Sequence, residues 1–312
     1  MASCGAMSKI VRPSGSTSRV GPPNRPIPAP ADFGEQEGFE PLDPTQIPRE
    51  LREAIDRDEL FVCYQPKLNS RAGTIDAVEA LVRWRHPTSG LVPPGQFIGV
   101  AEETGLIADL TKWVVLRALA DRERLQQAGH EITVHINLSG RLAPDPNFTA
   151  WILKAVEGAA PGAIGLEITA SAMAADPRQA LHNLKILAEA GLTITVDDYG
   201  SGPWSLASLK QLPARELKID RAFISDLALS HGGLLLVRAS IDLAHALEMQ
   251  VTAVGVESPT ASALLRMMGC DLIQGFVISP AVEIIDLEDF LAMSPDVQSG
   301  EADLKRFGNS KA

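Results

Sequence analysis

An α/β protein, an irregularly started (β/α)8 TIM barrel, is the fold this sequence predicts. Three observations point to it. Strand-like and helix-like segments alternate to about eight strands over ~240 residues, the rhythm and length of a barrel of parallel strands. Glycines stand where the helical patterns should stop, at Gly129, Gly158, Gly191 and Gly269. The competing architecture, an open doubly wound sheet, lacks its GxGxxG after a first strand.

Residues 1–40 read as a disordered tail. "RPSGSTSRVGPPNRPIPAPADFG" is dense in Pro, Gly and Ser and poor in apolar residues. The first thirty residues carry Lys9, Arg12, Arg19 and Arg25 and no acid, so the tail is either a solvated segment or a contact for an acidic partner or a membrane surface. Residues 41–295 form the barrel domain. Its strand candidates are "LFVCYQPKL", "IDAVEALVRW", "ITVHINLS", "GLEIT", "LTITVDD", "ELKID", "QVTAVGVE" and "DLIQGF". Between them fall the helical patterns "EETGLIADLTKWVVLRALADRERLQQAG", "NFTAWILKAVEG", "PRQALHNLKILAEAG", "GGLLLVRASIDLAHALEM" and "PTASALLRMMG". The first two strands have no helix between them, and the "PK" pair suggests a turn in the first, hence the irregular start. Residues 296–312 read as a polar tail.

Composition excludes several classes. The net charge of -11 and the lack of a basic patch argue against a DNA-binding protein. The three cysteines, Cys4, Cys63 and Cys270, show no CxxC spacing, which argues against a disulfide scaffold and for a reducing, cytoplasmic setting. No apolar run reaches the ~18 residues of a membrane span, and no signal peptide is visible.

The active end of such a barrel is the C-terminal rim of its strands. Period-2 alternation along "IDAVEALVRW" places Ile75, Ala77, Glu79, Leu81 and Arg83 on one face and Val78, Ala80, Val82 and Trp84 on the other, toward the helices. Asn137, Glu167, the pair Asp197 and Asp198, Lys218 and Gln274 end or nearly end five further strands. Taken singly, a strand-end Asp is a turn or cap residue and a lone Lys among acids is a salt bridge. Together, six strands bring polar groups to one rim. Glu79, Asn137, Glu167 and Asp197 make an all-oxygen set suited to Mg2+ or Mn2+. A second cation at Asp198 would complete a two-metal site for phosphodiester hydrolysis, with Lys218 on the water or a phosphate oxygen.

The stretch "VEALVRWRHP" resembles the signature of EAL domains, bacterial phosphodiesterases and receptors for cyclic di-GMP. "YQPK", "AEETGLI", "INLS", "EIT", "DDYGSG", "LKIDRAFI", "VGVES" and "QGF" follow the same pattern over roughly residues 50–292. The resemblance implies a modified (β/α)8 barrel with one antiparallel strand. It implies Glu79, Asn137, Glu167 and Asp197 as ligands of a first Mg2+ or Mn2+ and Asp198 as a ligand of a second. It implies Lys218 and Gln274 on the attacking water, and Gln65, Leu81, Arg83 and Glu257 as contacts to cyclic di-GMP. The product of the implied reaction is linear pGpG.

Three departures from the family pattern bear on activity. Ala170 and Val254 stand where active members carry glutamates, and the loop "GSGPWSL" brings Pro203 and Trp204 into a run that is usually small and adaptable. The expectation is therefore a degenerate member that binds cyclic di-GMP as a receptor or interaction module with weak or no hydrolysis. The alternative is an active phosphodiesterase. Trp204 or the tail is a candidate contact for a protein partner or a second copy of the chain, with simple packing the other reading of Trp204.

Overall fold

The computed structural model describes residues 42–293, apart from 226 and 228–230. Both tails lie outside the described residues. Ten strands follow in chain order: β1 (Leu60–Asn69), β2 (Ile75–His86), β3 (Gly90–Val92), β4 (Thr133–Leu138), β5 (Ile164–Ile168), β6 (Thr193–Tyr199), β7 (Glu216–Ile219), β8 (Gln250–Ala253), β9 (Leu272–Gln274) and β10 (Val282–Glu283). Eight of them close a barrel in the order β1-β2-β4-β5-β6-β7-β8-β9, with β9 returning to β1. Every neighbouring pair from β2 round to β9 is parallel, while β1 runs antiparallel to both of its neighbours. The eight expected strands are these eight. The expected turn at "PK" is not one: β1 passes straight through Pro66 and Lys67, and the irregularity is a register shift between Lys67 and Leu68. β3 and β10 are short additions on β2 and β1 that periodicity could not register.

The helices are α1 (Ile47–Asp56), α2 (Pro94–Thr104), α3 (Ile107–Gln127), α4 (Pro146–Ala155), α5 (Pro177–Glu189), α6 (Leu206–Leu209), α7 (Arg221–Ser225), α8 (His231–Ala246), α9 (Pro259–Met267) and α10 (Ile284–Ala292). Their starts are chemical. Asp145, Asp176 and Ser258 accept backbone N–H bonds at the N-termini of α4, α5 and α9, each with proline in the first turn. The four expected glycine stops all take positive φ, between 82° and 96°. One expected helix is two: Gly105, at φ 80°, separates α2 from α3 within the pattern that read as continuous.

On β2 the predicted outer face holds. Val78, Ala80 and Trp84 are buried in the apolar layer beneath the helices, and Trp84 meets Phe97 of α2 edge-on at 5.6 Å. This leaves Glu79 and Arg83 to the other face.

Candidate metal centre

The rim cluster is held by the ends of five strands and by Glu79 from within β2. Glu79 comes from β2, Asn137 from β4, Glu167 from β5, Asp197 from β6, Lys218 from β7 and Gln274 from β9. Lys218 Nζ donates to Glu79 Oε2 at 3.0 Å, to Asp197 Oδ2 at 3.0 Å, and to Glu167 Oε2. Asn137 Nδ2 donates to Glu79 Oε1 at 2.9 Å. Gln274 Nε2 donates to Glu79 Oε2 at 2.8 Å and to Gln65 Oε1 at 3.1 Å. The three acids offer oxygens within 4.8 Å of one another. Eight of the residues singled out on the sequence are thus brought to one rim, Asp198 included.

Asp197 and Asp198 do different things because β6 bulges there. Val196 pairs with Leu217 and Tyr199 with Ile219, so β6 spends one residue more than β7 over the same step. Asp198 takes a left-handed φ of 54°, and its N–H caps Asp197 Oδ1 at 2.8 Å. Asp197 therefore faces Lys218 while Asp198 is exposed beside Asp220. Burial raises the Asp198 carboxyl above its usual range, and the Asp220 charge adds to that.

Below the rim lies a second polar layer. Period 2 again builds it: His135 lies two residues before Asn137, Thr195 before Asp197, Glu216 before Lys218 and Thr252 before Val254. Lys67 completes it from β1, where the reversed strand direction puts Lys67 deeper than Gln65. Lys67 is 0% exposed and donates to Glu167 Oε1 and Glu216 Oε1, each at 2.8 Å. Thr252 Oγ1 donates to Glu216 Oε1 at 2.6 Å, and His135 lies 3.6 Å from both Glu167 and Glu216. The imidazole takes the space a side chain at position 165 would need, since a Cβ on Gly165 would come within 2.6 Å of His135 Nδ1. Barrels usually fill such a layer with branched apolar side chains. Lys67, Glu216 and His135 did not figure among the expected site residues, although the alternation that found the rim also reaches them.

The charges do not balance. Burial pushes Glu167 and Glu216 up, but Lys218 and Lys67 with His135 override it for Glu167, and Lys67 with His135 for Glu216, so both carboxyls sit at about 2. Burial works to lower both lysines, and Glu167 leads the acids that override it and hold both above their usual range. His135 is pushed down by burial and by Lys67. Four carboxylates, Glu79, Glu167, Asp197 and Glu216, thus face two ammonium groups, Lys67 and Lys218. The acids outnumber the ammonium groups by two, the guanidinium of Arg83 being the other cation coupled to Glu79, and crowding of acids at such depth is costly. Burial first, eased by Lys218 and reinforced by Glu167 and Glu79, puts Asp197 at about 6. An all-oxygen set of Glu79, Asn137, Glu167 and Asp197 around a position now taken by an ammonium fits a hard divalent cation.

Beside the cluster opens a cavity of about 300 Å³, lined by Leu81, Arg83, Ile98, Asn137, Glu167 and Ser139 among others. Arg83 is buried and its Nη1 donates to Val82 O at 3.0 Å. Glu257 stands apart from the cluster, exposed after β8 with its carboxylate on Arg221 at 2.8 Å. Ala170 opens a 3-10 turn after β5 and packs near Gly202 of the loop that follows the two aspartates. Val254 is half-buried just past β8. Trp204 in that loop is half-buried, with Nε1 bonded to Asp197 O.

An eight-stranded barrel with one reversed strand and an acidic, cation-ready cluster at its C-terminal rim defines a class of metal-dependent α/β barrels. The comparisons narrow it: the profile of the EAL domain matches residues 48–281, and the chain belongs to that family. It is 39% identical over 249 residues to the cyclic di-GMP phosphodiesterase NbdA of Pseudomonas aeruginosa, covering 79% of this chain and 32% of that protein. It is 36% identical over 242 residues to the cyclic di-GMP phosphodiesterase PdeR of Escherichia coli K12, covering 76% of this chain and 36% of that one. The solved PaMucR phosphodiesterase, in complex with c-di-GMP, superposes with a TM-score of 0.72 at 36% identity, over 78% of this chain and 99% of that one. The chain spans about a third of the length of these two curated relatives. It is an EAL-domain protein, and no described helix is long and apolar enough to cross a membrane. Nothing in the comparisons marks the site as degenerate.

Proposed function

We propose that the chain binds Mg2+ or Mn2+ through Glu79, Asn137, Glu167 and Asp197, takes cyclic di-GMP above it, and hydrolyses one phosphodiester bond to give pGpG. The observation that carries this reading is the gathering of Glu79, Glu167 and Asp197 on the single ammonium of Lys218, with Asn137 beside them. The phosphodiesterases among the similar proteins support it, and they favour hydrolysis over a purely receptor role. A cation bound there would polarise a phosphate oxygen and lower the pKa of a bound water.

The chain's own groups do the rest. Lys218, relieved of part of its carboxylate contacts, presents N–H donors to the water or a phosphate oxygen. Gln274 keeps its amide beside Glu79 and orients the same water. Arg83 in the adjoining cavity offers a guanidinium to a phosphate, and Gln65 and Leu81 border the dinucleotide. Glu257 reaches it only after leaving Arg221. Asp198, set outward by the bulge, is the ligand for a second cation.

A second reading, binding with little turnover, is favoured by Ala170 and Val254, which bring no carboxylate to the loop or rim. Calorimetry with cyclic di-GMP in Mg2+ or Mn2+, and chromatography for pGpG, separate the two. Turnover at about 1 s⁻¹ or faster supports the enzyme. Binding without product supports the receptor. No binding removes both.

A further inference from the structure

We propose that Lys67, steadied by Glu216, is the positioning residue that makes Glu167 a one-oxygen ligand of the divalent cation. This rests on the cation reading above and deepens it.

Glu167 divides its two oxygens. Oε2 faces the rim and Lys218. Oε1 faces down and accepts from Lys67 Nζ at 2.8 Å. The two lysines differ in freedom. Lys218 sits among three rim acids beside an open cavity, and its ammonium can shift when a cation arrives. Lys67 is enclosed, with Glu216 Oε1 as its second acceptor at 2.8 Å. Glu216 Oε1 also accepts from Thr252 Oγ1 at 2.6 Å, and its Oε2 accepts from Thr195 Oγ1 at 3.5 Å with His135 3.6 Å away. One internal cation is exchangeable and the other is permanent.

A permanent ammonium on Oε1 has two effects on the metal. It denies Glu167 a chelating, two-oxygen grip, and it fixes the direction from which Oε2 donates. Mg2+ and Mn2+ take single carboxylate oxygens in tight octahedral shells, whereas Ca2+ accepts two-oxygen carboxylates in looser ones. The arrangement therefore selects small cations. Outer partners of this kind typically carry about 10–100-fold in metal affinity.

The test uses the full chain with Lys67→Met/Glu216→Gln, which removes one positive and one negative charge together. Free Mn2+ is counted by electron paramagnetic resonance, with Ca2+ as competitor, and folding is checked by metal-free melting. The expected result is a folded protein whose Mn2+ dissociation constant rises about tenfold or more, with preference shifted toward Ca2+. A merely structural pair would not move the Ca2+ to Mn2+ ratio. An unchanged affinity and ratio in a folded variant would overturn the assignment. If the double variant fails to fold, Glu216→Gln alone decides. Lys67 then loses the acceptor that steadies it, so preference should shift toward Ca2+, which loss of one negative charge alone would not do; an unchanged Ca2+ to Mn2+ ratio overturns the proposal. Absence of Mn2+ uptake by the unaltered chain would refute the cation reading itself, whereas uptake with unaltered variants would refute only the role of Lys67.

Discussion

The indole Nε1 of Trp204 donates a 2.9 Å hydrogen bond to the backbone carbonyl of Asp197. This ties the loop after β6 to the residue that faces Lys218. Trp204→Phe keeps an aromatic ring, though a smaller one, and loses the bond, which alone is worth about 1 kcal/mol. Amide exchange over residues 198–204 should quicken while the mass in gel filtration stays the same. A fall in apparent mass would instead make Trp204 a contact between chains.

Arg83→Ala should weaken cyclic di-GMP binding about tenfold or more, because a charge-assisted phosphate contact contributes ~1.5–3 kcal/mol. The barrel should stay folded, since Val78, Ala80 and Trp84 on the other face of β2 are untouched. Unchanged calorimetric affinity would take Arg83 out of the site.

Asp197 at about 6 makes cation uptake pH-dependent. Proton and metal compete for the same oxygen. Mn2+ affinity should be level above pH 7 and fall by up to about tenfold per unit below pH 6. An affinity unchanged between pH 7 and pH 5 would contradict the assignment of Asp197 as a ligand.

Stability of the metal-free chain follows opposing terms. Glu167 and Glu216 are depressed from 4.5 to about 2, so their contribution is whole above pH 4.5 and is lost as pH falls toward 2. Asp197 is raised from 3.8 to about 6, so its term has the other sign: protonation below pH 6 relieves a buried charge. His135, pushed down from 6.5, opposes this over the same range because the unfolded chain takes its proton first, so the melting temperature should change little from pH 7 to 5, then drop below pH 4.5. A steady fall from pH 7 downward would show that other groups dominate.

Ala170→Glu with Val254→Glu should raise pGpG output above either single change. A well-placed polar group at the transition state is worth about 10²–10³ in rate, and the two positions should couple if the loop near Gly202 and the rim act as one unit. If the native chain already turns over at about 1 s⁻¹, both substitutions are tolerated and the receptor reading falls.

The eight barrel strands were legible because a strand ending in a polar residue and followed by a helix leaves a period-2 trace long enough to see. β3 and β10, of three and two residues, leave none. The break at Gly105 was hidden because apolar residues on both sides kept a helical spacing. The rim residues were legible for the same reason as the strands. In the layer beneath, His135 and Glu216 lie on the same alternation, but Lys67 was hidden, because a lysine within "YQPK" suggested a turn, and nothing local says that β1 is reversed and turns Lys67 inward. Glu257 shows the opposite limit: a motif places it near the site, while its side chain turns to Arg221.

His135 and Gly165 are direct neighbours across β4 and β5, and the ring of one occupies the side-chain space of the other. The two positions share a single volume. Gly165 cannot be enlarged alone, and His135 cannot be cut back alone without leaving a hole near Glu167. In a library randomised at both, surviving pairs should keep their summed side-chain size nearly constant, small residues at 135 admitting alanine or serine at 165. Such a trade would be invisible to any scan that changes one residue at a time.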